Sequence, residues 1–124
     1  MQGLHLTADL AQCACASALL TDAQQLGALC LQAVQTAGLR AVGQLFHRFE
    51  ATARGPGGVT ATVLLAESHL CVHTWPELGA VTLDVYVCNF GADHSQQAQS
   101  LMDALLAAFQ PGHCSQRALP RGVD

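Results

Sequence analysis

The sequence predicts an α+β fold, a two-layer α/β sandwich in which an antiparallel sheet carries two helices on one face. Three observations carry that prediction. Ala80 to Cys88 alternates strictly, with Val81, Leu83, Val85 and Val87 on one side and Thr82, Asp84, Tyr86 and Cys88 on the other. Apolar residues recur at helical spacing in two stretches, Leu26, Leu29, Cys30, Ala33, Val34 and Ala37, then Ala98, Leu101, Met102, Leu105, Ala108 and Phe109. The order is strand, helix, a run of strands, helix, with a weak final strand, which puts both helices over one side of a sheet.

Taken from the start, Gly3 to Leu10 reads as a strand, with Leu4, Leu6 and Ala8 alternating against His5, Thr7 and Asp9. Small residues through Cys13 and Cys15 form a linker. Thr21 then reads as a helix cap, with Gln24 three positions on to complete a capping box, and Gly38 as the left-handed stop. Arg40 to Phe49 and Val59 to Ala66 read as strands, separated by a turn-rich loop, Glu50 to Gly58, longer than a simple hairpin needs. Asp93 with Gln96 caps the second helix and Pro111-Gly112 ends it. A tail strand around His113 to Leu119 is weakly signalled, and the final residues are expected to be loose.

At 124 residues the chain is expected to form one domain with one modest core. A net charge of −4 argues against nucleic acid or an anionic membrane as partner, and no apolar run reaches spanning length. Residues 10–20 imitate a signal peptide, but no basic residue precedes them and they lead into a helix cap. The six cysteines are read as reduced thiols of a cytoplasmic protein, because the apolar content is enough for a core without staples. Few charges leave much neutral surface, which favours burial against a second copy. There is no lysine: the basic residues are Arg40, Arg48, Arg54, Arg117 and Arg121. Chemistry that needs a lysine amine to hold a carbonyl, including the usual pyridoxal-phosphate enzymes, is thereby excluded.

The chemistry-bearing stretch is Val63 to Glu77, where an apolar strand is interrupted by Glu67-Ser68-His69 and a second apolar run ends in His73-Thr74-Trp75-Pro76-Glu77. A metal site is one reading, since His69, Cys71 and His73 would share a strand face. No paired Cys-x-x-Cys or His-x-x-x-His element supplies further ligands, so no metal is expected. An ordinary serine hydrolase lacks its Gly-x-Ser-x-Gly elbow, and in an unbroken strand Ser68 and His73 face opposite ways. They cooperate only if the strand breaks or bulges at Glu67-Ser68.

A third reading turns the serine on its own backbone. The Ser68 hydroxyl attacks the Glu67 carbonyl and converts the amide to an ester. A base removes the Ser68 α-proton, the ester leaves by elimination, and hydrolysis of the resulting dehydroalanine gives a pyruvoyl group. His73 and Cys88 are candidate suppliers of the proton transfers. The new carbonyl can capture a substrate amine as an imine and act as an electron sink, which replaces the missing lysine.

Ala66-Glu-Ser-His-Leu-Cys-Val-His-Thr-Trp-Pro-Glu77 resembles the processing-site motif of the prokaryotic S-adenosylmethionine decarboxylase proenzymes, which are pyruvoyl-dependent. The likeness extends to Gly3-Leu4-His5-Leu6, Phe46-His47-Arg48-Phe49, Gly58-Val59-Thr60 and Leu83-Asp84-Val85-Tyr86-Val87-Cys88. It implies cleavage between Glu67 and Ser68 into fragments 1–67 and 68–124, with covalent pyruvate made from Ser68 as the cofactor. His73 would be the processing base, supported by Thr60 where the family usually has serine. Cys88 would be the proton donor in decarboxylation, Phe49 an aromatic that stacks on adenine, and Glu77 the carboxylate on the ribose hydroxyls. The family's two-layer sandwich dimerises, with active sites assembled at the interface, so a homodimer is expected to act on a small-molecule substrate in polyamine (spermidine) synthesis.

Several positions depart from the family pattern. Leu4 stands where arginine is common, Leu78 replaces an aromatic, Asn89-Phe90 follows Cys88 where glycine is usual, and Glu50 to Gly57 lengthens a link that is normally short. These leave the self-processing machinery of the resemblance in place, and several fall near where substrate would be recognised. Two alternatives therefore stand beside the leading one: a pyruvoyl-dependent L-ornithine or L-arginine decarboxylase on the same scaffold, and an unprocessed, non-catalytic homologue. His5, His47, His69, His94 and His113 have no role in this chemistry.

Overall fold

A computed structural model describes residues 1–123. Alternation of apolar and polar residues builds six strands: β1 (Gln2–Cys13), β2 (Ala41–Arg48), β3 (Val59–Leu65), β4 (Ser68–Trp75), β5 (Ala80–Cys88) and β6 (Pro111–Gly122). They form one sheet in the order β2-β3-β4-β5-β1-β6, with every neighbouring pair antiparallel. Helical periodicity gives α1 (Ala18–Thr21), α2 (Ala23–Thr36) and α3 (Ser95–Phe109), and a short 3-10 turn covers Pro76–Leu78.

One face of the sheet is apolar and buried. It is made by Leu6 and Ala8 of β1, by Val59, Ala61, Val63 and Leu65 of β3, by Leu70 and Val72 of β4, and by Val81, Leu83 and Val85 of β5. Against this face pack Leu26, Cys30 and Val34 of α2 and Leu101, Met102, Leu105 and Phe109 of α3. Both long helices thus lie on one side, as the sequence predicts, with the short α1 added beside them. Among the described residues, no helix covers the opposite face.

The helix starts differ from expectation. Ser17 to Thr21 winds into α1, with the Thr21 hydroxyl donating back to the Ser17 carbonyl at 3.1 Å, so Thr21 is not free to cap. Asp22 caps α2 instead, accepting from the Gln24 and Gln25 amides at 2.9 and 3.4 Å. The stop is as read: Gly38 has φ +82, and Leu39 and Gly38 donate back to Val34 and Gln35. At α3 the expected Asp93–Gln96 box does not form: His94 is the N-cap and Asp93, one residue earlier, accepts from the Ser95 amide at 2.9 Å, while Gln110, with φ 51, closes the helix one residue before Pro111.

The tail is the largest departure. β6 runs along nearly all of β1, from Cys13↔Pro111 to Gln2↔Gly122, and the N-terminal amine donates to the Val123 carbonyl at 2.8 Å. The expected looseness is replaced by main-chain pairing. Pro111 and Pro120 are tolerated because β6 is an edge strand whose outer amides need no partner.

Candidate active site

The strand β4 carries the motif from end to end. β3 and β4 join through a two-residue turn, Ala66-Glu67, between the pair Leu65↔Ser68. Glu67 takes φ 58, the left-handed region that disfavours a residue with a side chain by about 1 kcal/mol. The expected break therefore exists, but it lies before Ser68. From Ser68 to Trp75 the strand is continuous, and its five steps at ~3.3 Å separate Ser68 from His73 by roughly 16 Å. The expected break is present at Glu67 but does not by itself bring Ser68 and His73 together: the turn redirects the chain without shortening the strand between them.

At the Ser68 end, the Cys88 amide donates to Ser68 Oγ at 3.0 Å. Cys88 is 8% exposed and, with Met1, Glu67 and Phe90, lines a cavity of about 350 Å³. The corner after Cys88 is tied down. His94 Nδ1 donates to the Cys88 carbonyl at 3.0 Å, the His94 amide donates to Asn89 Oδ1 at 2.8 Å, and the Asn89 amide donates to the Gln2 carbonyl at 2.7 Å.

At the other end, Thr60 Oγ1 and His73 Nδ1 lie 3.0 Å apart across the Thr60↔His73 register, which leaves the imidazole Nε2 without a partner among the described residues. A cleft of about 630 Å³ opens beside them, and Phe49, Glu77, Trp75 and Arg54 line it with Thr60 and His73. Phe49 is half-exposed and meets His47 edge-on, so its ring is available to a ligand and is not a core residue. Glu77 sits on the 3-10 turn after Trp75, with Pro76 at its start and Gly79 in the left-handed region at its end. Thr74 fixes this end to the helical layer: its hydroxyl donates to the Leu20 carbonyl at 2.7 Å and accepts from the Val59 amide at 2.8 Å.

The structure therefore sorts the predicted residues into two groups. Glu67, Ser68 and Cys88 meet at one end of β4; Phe49, Thr60, His73 and Glu77 meet at the other.

Between them lies a cluster that the sequence reading missed. Asp84 Oδ2 accepts from His5 Nε2 at 3.0 Å and from His69 Nε2 at 2.8 Å, on the uncovered face of the sheet. Arg121 Nη1 is 3.0 Å from His5 Nδ1. A guanidinium only donates, so Nδ1 is the acceptor and the His5 proton sits on Nε2, facing Asp84. The trio is held together by these hydrogen bonds, and its three potential ligand atoms lie within 4.8 Å of one another. His69, Cys71 and His73 do share a face, yet each turns to a different partner, Asp84, Thr62 and Thr60. The only hint in the sequence was Asp84, an acid in mid-strand; its partners lie 79 and 15 positions away.

The six cysteines are unpaired. Burial pushes the Cys30 thiol up to about 12, as a core residue of α2. Burial also raises Cys71, and the charge of Asp84 adds to it against the lowering hydrogen bond of Thr62.

A Glu67 turn leading into Ser68 at the start of β4, a buried thiol beside it, and a separate cleft lined by an aromatic ring and a carboxylate together make up the candidate site. The family model described as S-adenosylmethionine decarboxylase matches residues 4–122. An S-adenosylmethionine decarboxylase proenzyme from Pelotomaculum thermopropionicum is 31% identical over 121 residues, covering 98% of this chain and 87% of that protein. One from Aquifex aeolicus is 32% identical over 121 residues, covering 98% and 82%. The crystal structure of the Aquifex aeolicus adenosylmethionine decarboxylase superposes with a TM-score of 0.84 at 31% identity, over 98% of this chain and 92% of that one. The chain belongs to the S-adenosylmethionine decarboxylase family.

Proposed function

We propose that the chain is a pyruvoyl-dependent S-adenosylmethionine decarboxylase that cuts itself between Glu67 and Ser68. The observation that carries the reading is the splitting of the motif between the two ends of β4. Each end alone is half a site, and a second copy running the other way brings one chain's Ser68 end to its partner's His73 end. The uncovered sheet face supports a homodimer: Leu45 is 72% exposed, Leu64 50% and Leu119 47%, all on that face with His73, while Ser68 lies at the end of β4 beside the Glu67 turn, where the rim of a partner can reach it.

In the self-cleavage, the Cys88 amide holds Ser68 Oγ and the left-handed turn at Glu67 presents the carbonyl it attacks. The partner's His73, oriented by its own Thr60, takes the proton. Elimination of the Glu67 carboxylate, followed by hydrolysis with loss of ammonia, leaves a ketone at the new N-terminus. That ketone supplies a covalent hold on a substrate amine and a sink for the electron pair released with carbon dioxide. Cys88 then returns a proton to the substrate carbon, while the partner's Phe49 and Glu77 hold the nucleoside. With no lysine in the chain, this carbonyl is the means of gripping an amine.

Carbon dioxide release, measured with S-adenosylmethionine, L-ornithine and L-arginine on cleaved protein, tests the substrate. Release from S-adenosylmethionine alone is the expected result, and release from ornithine or arginine alone would overturn it.

A further inference from the structure

The segment from Glu50 to Gly57 is an insertion relative to the short link expected here, and it is not slack. Its base is closed by the Phe49 amide donating to the Gly58 carbonyl at 2.9 Å. Its tip is closed by Thr52 and Gly55, each donating its amide to the other's carbonyl at 2.9 and 3.0 Å, and the Arg54 amide donates to the Thr52 hydroxyl at 3.1 Å. A side chain at Gly57 would run into the Phe49 carbonyl, and one at Gly58 into the Thr74 carbonyl. Because Thr74 is itself locked to Leu20 and Val59, the whole lip is held in fixed relation to the Phe49 ring and the cleft floor.

The lip is one wall of the cleft. Glu50, Thr52, Ala53, Arg54 and Pro56 line it together with Trp75 and Glu77. Arg54 is exposed, and its guanidinium makes no ion pair or side-chain hydrogen bond among the described residues. A planar cation facing an aromatic cleft is suited to lie over a purine, whose two faces both accept stacking.

We infer that the 50–57 lip is a preformed nucleoside clamp, in which Arg54 covers the face of a purine opposite Phe49. The inference rests on the reading of this cleft as the nucleoside end of the substrate site. Because the lip is already hydrogen-bonded, closing it over the base requires little ordering, so the clamp adds affinity rather than a slow closing step.

The test is adenosine binding to the cleaved protein, followed by calorimetry and by the fluorescence of Trp75, the single tryptophan and a residue of the same cleft. Arg54→Ala is expected to weaken adenosine binding by roughly three- to thirty-fold, the range of one cation–π contact, and to raise KM for S-adenosylmethionine with kcat unchanged. Arg54→Lys is expected to recover only part of the affinity, since an ammonium does not stack as a plane. Equal adenosine affinity in wild type and Arg54→Ala overturns the clamp and leaves the nucleoside site standing. No adenosine binding by wild type overturns both. Unchanged extents of self-cleavage across the variants exclude misfolding as the cause of a loss.

Discussion

The separation of Ser68 from His73 makes a prediction about two chains at once. Five strand steps put roughly 16 Å between them, whereas a base must come within about 3 Å of the proton it takes. Cleavage within one chain is therefore out of reach without tearing β4 from both neighbours. Ser68→Ala and His73→Ala should each remain uncut when made alone. Co-expressed in equal amounts, they should restore cleavage, because a mixed dimer contains one intact combination: Ser68 of the His73→Ala chain with His73 of the Ser68→Ala chain. Random pairing places about half of the His73→Ala chains in mixed dimers, so about half of that chain, and none of the other, should be cut. Distinct affinity tags and denaturing electrophoresis read this directly. Cleavage of His73→Ala alone, or none in isolated mixed dimers, would refute the two-chain site.

Other predictions follow from single contacts. Thr60→Ala should slow cleavage roughly two- to tenfold, the worth of one hydrogen bond that orients His73, and Thr60→Ser should restore it; timed electrophoresis of fresh protein measures both. Cys88→Ala should keep cleavage, because the main-chain amide on Ser68 remains, but lower kcat by roughly a hundredfold with little change in KM. Stability should depend on pH through Cys30. Its folded pKa is raised to about 12 from 9.0, so the unfolded chain loses its proton first and stability falls as pH climbs between those values, by at most about 1.4 kcal/mol per unit. Urea midpoints across that range should fall more steeply in wild type than in Cys30→Ala.

How much of this was legible in the sequence depends on distance along the chain. β5 declared itself by alternation and α2 and α3 by periodicity, because those signals are local. The cap at Thr21 was misplaced because the tertiary contacts of Leu20 wind one extra turn before Asp22. β6 was undersized because an edge strand held by main-chain bonds to β1 needs no alternating pattern. At the site, parity along β4 correctly set Ser68 and His73 on opposite faces, and the turn at Ala66-Glu67 was legible as a break. Its consequence was not, since a turn ahead of Ser68 leaves the strand behind it intact. The His5–Asp84–His69 cluster joins three strands, so beyond the mid-strand acid Asp84 it carries no local signature.

The claim beneath all of this is that Ser68 becomes a carbonyl. Intact-mass analysis of freshly purified protein tests it most directly. The expected result is two fragments, 1–67 and 68–124, with the second lighter by one ammonia than simple hydrolysis would leave it and reactive toward a hydrazine at its N-terminus. A single full-length chain, or a second fragment that begins with an ordinary serine, would contradict the account.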